Sequence, residues 1–404
     1  MEPRKVIFVN RYFHPDHSAT SQMVSDLAFA LSQRGWDVEV ITSRQRYDDA
    51  SAALAARETI EGVRVIRVAT SRFGRALLAG RAIDYATFYV TAFLALLSRL
   101  HRGTIVIAKT DPPLISFVAA LASIIRRATL VNWTQDLFPD VAEALGVVRR
   151  GGVIARLAGR MRDVSLRRAR MNVAIGERMA DRIRAAGGAV TVQQNWAGSE
   201  LQPVPRAGNE LRRAWQAGER VIVAYSGNLG RAHEVETLAA AMHALAADDT
   251  IRFVIIGGGA RLSSLRALTR GLTNVEFLPY QPRELLSQSL SAADVHLISL
   301  QPSLEGLIVP SKFYGIAAVG RPSIFIGARD GELGQIIERE HCGIVVDPGN
   351  DAALIAAIRR LARDSNEREA MGARALSLHR RELEAHLAFD NWERILTTLD
   401  ARPR

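Results

Sequence analysis

The chain has 404 residues, 48% hydrophobic and 23% charged, an ordinary globular balance at a length that exceeds what one core usually covers, so two domains are expected. The only cysteine, Cys342, excludes an intrachain disulfide and any cysteine-based zinc site, and fits a reducing compartment. The net charge of +10 is uneven: residues 1–195 carry twenty-eight Lys and Arg against seventeen Asp and Glu, and the remainder twenty-four against twenty-five, so the first half is the one expected to meet something anionic.

The opening residues, MEPRKVIFVNRYFHPD, hold too short an apolar run for a secretory signal and lead directly into a first strand. The apolar charge-free segment Tyr85 to Ser98 has fourteen residues, short of the ~20 that a bilayer-spanning helix needs. A cytoplasmic chain without a transmembrane helix is the expectation.

In chain order, short β-branched runs alternate with longer helical patterns. Strands are expected at 5–10, 37–42, 63–68, 104–108, 129–133 and 171–175. Between the first two, Met23, Leu27, Ala30 and Leu31 share one helix face, and Gly35 closes that helix. After a polar, proline-bearing stretch the pattern restarts, with strands at 220–225, 251–256, 274–278, 294–299, 322–326 and 343–347. Alternation of this kind builds parallel sheets, so the reading is α/β, with two Rossmann-like, doubly wound domains and an interdomain cleft between them. The boundaries are 1–195 for the first domain, 196–218 for a linker and 219–380 for the second, with 381–404 a C-terminal helix packing back toward the first domain.

Open α/β sheets bind ligands at the carboxyl ends of their strands, and four such loops are unusual. Ser18, Thr20 and Ser21 stand where a helix begins after the first strand, suited to a phosphate on open amides or to a plain cap. YSGNLGRAHEVETL opens the second half, with Gly227 and Gly230 allowing close backbone approach and Arg231 and His233 bringing positive charge. The run Gly257 to Gly259 lacks the spacing of a dinucleotide fingerprint and reads as a tight connection.

The fourth loop, LEGLIVPSKFYGIAAVGRPS (304–323), holds Lys312, one of three lysines beside forty-nine arginines. Helix-start amides, the Ser311 hydroxyl and a compact ammonium converge there, which fits a diphosphate, because lysine acts on phosphate as a point charge on a flexible stem.

At these residues the sequence resembles the retaining GT-B glycosyltransferases of family 4, particularly the bacterial members that build exopolysaccharide, lipopolysaccharide or capsule units, and within them an N-acetyl-L-fucosamine transferase-like subgroup. The resemblance covers essentially the whole chain. YFHPDHSATSQMVSDLAFALSQRGWDVEVIT, AKTDPPL, NWTQDLFPDVAEALGV, YSGNLGRAHEVETL and EGLIVPSKFYGIAAVGRPSIFIG carry it in this order.

The resemblance implies that the first domain, 1–195, binds the acceptor and the second, 219–380, the nucleotide sugar. Gly227, Asn228, Gly230, Arg231 and His233 would lie at the diphosphate with Pro310, Ser311 and Lys312, while Pro279, Tyr280 and Leu285 would hold the base. In the first domain, Ser18, Ala19 and Thr20 would replace the family's glycine pair facing the diphosphate. Asp136 falls on the family's His-Asp element, and Lys109 of AKTDPPL would face the acceptor. The family's second glutamate falls at Gly315 and its first at Leu307, so Glu305 is displaced by two residues, and Gln135 stands where a histidine is usual. Lys312, Arg231, His233, Asp136 and Glu305 are the expected catalytic set.

By the same resemblance the acceptor hydroxyl attacks from the face that the nucleoside diphosphate leaves. Donor and acceptor would be a nucleotide sugar and a lipid-linked or saccharide molecule at the inner face of the membrane, with no cofactor or metal. Arg72, Arg75 and Arg81, with Arg99 and Arg102, flank the apolar part of 72–102, which is a candidate contact with anionic lipid or a packed core helix. Two other readings stay open. One is a nucleotide-sugar epimerase of the same architecture; the other is a nucleic-acid-binding protein using the eleven arginines between Arg149 and Arg184, a run without aromatic stacking platforms.

Overall fold

The computed structural model describes residues 4–16, 18–47, 49, 51–74 and 78–401, without the side chains of Leu78, Asp400 and Ala401. They fall into two compact units. The first comprises the described residues up to Gln194 and from Phe389 onward, and the second Asn195–Ala388.

The first unit is built on strands β1 (Lys5–Val9), β2 (Asp37–Ser43), β3 (Arg57–Ile60), β4 (Val63–Val68), β5 (Ile105–Lys109), β6 (Thr129–Thr134), β7 (Met171–Ala174) and β8 (Val190–Val192), in sheet order 3-4-2-1-5-6-7-8. All neighbours are parallel except β3 with β4. The central strands bury almost every residue, as a sheet covered on both faces requires. Their cover comes from α1 (Ala19–Gln33), α2 (Leu78–Arg99), α3 (Ile115–Arg126), α4 (Asp140–Ala144), α5 (Val153–Arg168) and α6 (Glu177–Ala185). Phe88, Ala92 and Leu96, one turn apart on α2, meet Ile7, Val106 and Ala119 in the core.

The second unit places β9 (Val221–Ser226), β10 (Ile251–Ile256), β11 (Val275–Leu278), β12 (Val295–Ser299), β13 (Ser323–Ile326) and β14 (Gly343–Val346) in the order 11-10-9-12-13-14, all parallel. Its helices are α7 (Glu210–Ala214), α8 (Glu236–Ala244), α9 (Leu262–Leu268), α10 (Leu286–Ala292), α11 (Lys312–Ala318), α12 (Glu332–Glu340), α13 (Asp351–Arg363) and α14 (Ser365–Leu378). Chain direction along the sheet reverses between β9 and β12, so the crevice at their carboxyl ends is where this topology places a ligand.

Two boundaries differ from the sequence reading. The stretch 196–218 is not a free linker: buried Arg212 pairs with Asp294 at 2.8 Å, Trp215 enters the core with Ile222, and Asn209 caps α7 while donating to the Gln288 carbonyl. Its proline and charge suggested a loop, but Glu200, Arg206, Asn209 and Arg212 all have partners elsewhere in the second unit. The C-terminal stretch is also not one helix, since a wide turn over His379–Leu383 precedes α15 (Ala385–Ala401). From Phe389 onward α15 belongs to the first unit, where Trp392 packs on Trp133 at 4.8 Å between ring centroids and Arg34 reaches Glu393 and Asp390 at 2.9 and 2.6 Å. No helix among the described residues is long and apolar enough to cross a membrane.

Candidate active site

In the second unit, the loop after β9 and the start of α11 meet at the β9–β12 crevice. Gly227 has φ +116°, and a Cβ there would stand 3.2 Å from Lys312 Cε, so the glycine makes room for the lysine stem. The Lys312 ammonium donates to the Asn228 carbonyl at 3.0 Å and to His233 Nε2 at 3.4 Å, and lies 4.8 Å from the centroid of the Tyr225 ring. Two of its three N–H groups are thereby used, and no carboxylate pairs with it among the described residues.

His233 Nδ1 donates to the Ser299 carbonyl at 2.6 Å, which fixes the tautomer and leaves Nε2 as an acceptor toward Lys312. Burial pushes the imidazole down to about 3, and the adjacent ammonium acts in the same direction. Loss of water pushes Lys312 itself down to about 7. A cation held without a counter-ion is a place where a bound anion is stabilised.

The Gly257 to Gly259 run is the tight connection expected, and it also buttresses this site. The Leu229 N–H donates to the Gly258 carbonyl at 2.6 Å, and a Cβ on Gly257 would meet the Gly227 oxygen at 2.4 Å. Arg231 is exposed and without an ion pair among the described residues, while its carbonyl accepts from Gln301 Nε2. Pro279 and Tyr280 are exposed beyond β11, with the Tyr280 ring against Gly258 and Leu285 half-buried nearby in chain. Pro310 is buried and Ser311 exposed, without a side-chain cap bond, before the seven-residue α11.

Glu305 is turned toward a helix start. Its carboxylate accepts from the Glu332 N–H at 3.2 Å, at the first turn of α12, and a Cβ on Gly331 would strike it at 2.4 Å. The carboxylate is engaged with the orphan amide of a helix start, which is a positioning contact. Gly315, where the family's glutamate would fall, faces Leu290 and Leu201 at 3.3 and 3.5 Å from a built Cβ, and Leu307 is buried.

In the first unit, the turn Ser18, Ala19 and Thr20 is set by Asp16, whose carboxylate accepts from the Ser18 and Tyr47 N–H groups at 2.8 and 2.5 Å. The Ser18 hydroxyl makes no cap bond and is buried without a partner, so a plain cap does not account for it. Asp136, just past β6, keeps solvent access, yet the protein crowding it pushes its carboxyl up to about 6; Asp111 adds to this and Lys109 opposes it. Lys109, expected to face the acceptor, is buried. It is 1% exposed, with Nζ 3.2 Å from the Trp133 ring centroid, and desolvation holds it well below its usual value.

The arginines near α2 divide. Arg72 is exposed, Arg81 donates to the Tyr85 hydroxyl at 2.7 Å, Arg99 pairs with buried Glu39 at 2.5 Å, and Arg75 lies outside the described residues. Sequence reading missed the acceptors Asn228 O and Ser299 O and the ring of Tyr225, since backbone carbonyls leave no trace in residue type. Asp16, two residues before a small hydroxyl cluster, is a signal that could have been used.

The family model described as "Glycosyl transferase 4-like domain" matches residues 18–196, and the one described as "Glycosyl transferases group 1" matches 220–364. The chain is 27% identical over 298 residues, 71% of it and 73% of the relative, to a protein of Pseudomonas aeruginosa named a probable glycosyltransferase, WbjE. It is 26% identical over 377 residues, 88% and 91% of the two chains, to WcaI of Escherichia coli (strain K12), named for glycosyl transfer in colanic acid biosynthesis. The structure of Anabaena Alr3699/HepE in complex with UDP-glucose is similar with a TM-score of 0.72 and 15% identity, over 98% of this chain and 99% of that one, a likeness of fold. Two parallel α/β units, each matched by a glycosyltransferase domain model, make this chain a glycosyltransferase of the GT-B fold, with a 4-like domain followed by a group 1 domain.

Proposed function

We propose that the chain transfers a sugar from a UDP-sugar to a lipid-linked or saccharide acceptor in bacterial exopolysaccharide, lipopolysaccharide or capsule biosynthesis, with retention at the anomeric carbon. The observation that carries the donor half is Lys312, an ammonium without a counter-ion at the β9–β12 crevice, with one N–H to spare. A neighbour of the same fold solved with UDP-glucose and a relative named for colanic acid biosynthesis support the choice of donor and pathway class.

In this reading the anomeric carbon–phosphate oxygen bond breaks as the acceptor oxygen bonds to the same face, and the acceptor proton passes to the departing phosphate oxygen. Charge then grows on the diphosphate. Lys312 and Arg231 meet it as cations, the Gly227–Gly230 turn and Ser311 supply polar contacts, and Asn228 and His233 hold Lys312 in place. Pro310 shapes the approach to α11. Pro279, Tyr280 and Leu285 hold the base, Ser18, Ala19 and Thr20 serve the donor from the first unit, and Asp136 faces the reacting sugar. Glu305 positions the 330–332 turn. Work at the cytoplasmic face of an anionic membrane belongs to the same reading, with Arg72 and Arg81 near the acceptor.

Thermal shift with UDP, GDP, dTDP and ADP tests the donor, because a ligand that binds only the folded state raises the apparent melting temperature. The largest shift is expected with UDP, and no shift with any of the four overturns the assignment. Release of a changed sugar nucleotide without an acceptor would identify an epimerase instead.

A further inference from the structure

A soluble helix normally turns charge to solvent, and α2 does not. Its inward stripe is Asp84, Phe88, Ala92 and Leu96, and the opposite stripe, Ala82, Ala86, Val90, Leu94 and Ser98, carries no charge over about 24 Å of helix. Val90 and Leu94 are 60% and 59% exposed. The next helix on the same side of the sheet, α3, has no charged residue before Arg126, and leaves Ile125 60% exposed. Beyond it α5 exposes Val153 and Ile154 by 74% and 72%. Helix α3 packs against both α2 and α5, so these exposed residues lie on three neighbouring helices. Exposed apolar residues gathered on adjacent helices in this way mark an interaction site.

The charges around that site identify what covers it. On α5, Arg156 and Arg160 are exposed and form no ion pair among the described residues, and neither do Arg149 and Arg150 just before it. The acids Asp140 and Asp163 on α4 and α5 are already paired with Arg162. A second copy of the chain docking by the same patch would bring arginines against arginines, with Glu143 alone of the α4 and α5 acids outside an ion pair among the described residues. An anionic lipid surface offers the opposite: hydrocarbon for the apolar stripe and phosphate for the rim.

We infer that the first unit docks on an anionic bilayer through the outer faces of α2, α3 and α5, with Leu94, Ile125 and Ile154 entering the headgroup layer and the α5 arginines contacting lipid phosphate. The inference deepens the proposed function by naming the docking surface, and it relocates the contact from the flanks of α2 alone to three helices.

Flotation of the full-length protein with phosphatidylcholine vesicles, with and without phosphatidylglycerol, tests it. Binding is expected to the anionic vesicles at low salt and to weaken as salt rises. Leu94→Asp, Ile125→Asp and Ile154→Asp, each at an exposed position, lower partitioning by about tenfold or more. Arg156→Gln with Arg160→Gln lowers it by about fivefold for each charge removed and flattens the salt dependence. Leu268→Asp, on an exposed apolar residue of the second unit, leaves it unchanged. Absence of wild-type binding at low salt, or wild-type binding by all three aspartate variants, overturns the inference; so does a wild-type dimer in light scattering that Ile154→Asp turns into a monomer. The UDP thermal shift, measured on the same samples, separates failure of the docking surface from failure of the donor assignment. Retention of that shift by the aspartate variants also shows that they are folded.

Discussion

The Lys312 ammonium lies 3.4 Å from His233 Nε2, and the same imidazole is anchored through Nδ1 to the Ser299 carbonyl, 2.6 Å away. One strand end therefore sets the ring, and the ring sets the lysine. Lys312→Ala is expected to lower turnover by about 100- to 1,000-fold, the usual loss when one preorganised donor to developing charge is removed. Because the ammonium is half-buried and unpaired, the melting temperature should change little or rise. Steady-state kinetics beside a melting curve decide it, and near-wild-type turnover would contradict the assignment.

Donor binding should consume a proton. Lys312 is neutral above about pH 7 in the free protein, and a diphosphate favours its charged form, so each pH unit above that value weakens UDP binding by up to about tenfold. Calorimetry at about pH 8 in two buffers of different ionisation enthalpy reads the uptake directly, and identical heats in both would sink the idea.

Acid should destabilise the second unit before the carboxylates titrate. His233 and His296 are held neutral by burial, down to about 3 and about 4 against an ordinary 6.5. Their unfolded forms take up protons as pH falls through 6.5 while the folded forms do not, so this stability is complete above 6.5 and drains as pH drops toward 4, at up to about 1.4 kcal/mol per unit for each group. Urea titrations over that range should show the slope, and His233→Gln should roughly halve it. A flat profile is the contrary result.

Glu305→Ala removes the acceptor for the Glu332 N–H at the start of α12, and is expected to cost about 1 kcal/mol of stability. Turnover per folded molecule should fall by less than about tenfold, since a donor aimed at the reacting charge costs far more. A loss comparable to that of Lys312→Ala would place the carboxylate on the substrate.

Trp392→Ala should unfold the first unit early. Trp392 and Trp133 are both fully buried and stack at 4.8 Å, and truncation of such a side chain costs about 3 to 5 kcal/mol. Circular dichroism with increasing urea should show a lowered transition, and an unchanged midpoint would mean that α15 contributes no core.

Twelve strands were legible as apolar, β-branched runs because a parallel sheet buried on both faces admits little else. The two that were missed explain themselves. β3 reads Arg-Glu-Thr-Ile and pairs antiparallel at the sheet edge with its side chains largely exposed, and β8 has three residues at the opposite edge. Edges need no apolar pattern, so none was present to read. The Lys312 loop was legible through residue type and the lysine's rarity, and the glycines of 227–230 through the close approach they permit.

Sequence by itself determined the two sheets, their order along the chain and the loops that carry the site, because burial dictates residue type wherever a strand is covered on both sides. Only the tertiary structure decided that Glu305 faces the α12 amide, that Lys109 lies buried beneath a tryptophan, and that 196–218 is part of the second unit. It also decided that α2, α3 and α5 lie side by side and expose apolar residues together. Each of these depends on where a side chain meets groups distant in sequence, and a charged residue looks the same in the chain whether its partner is water, a helix end or a ring.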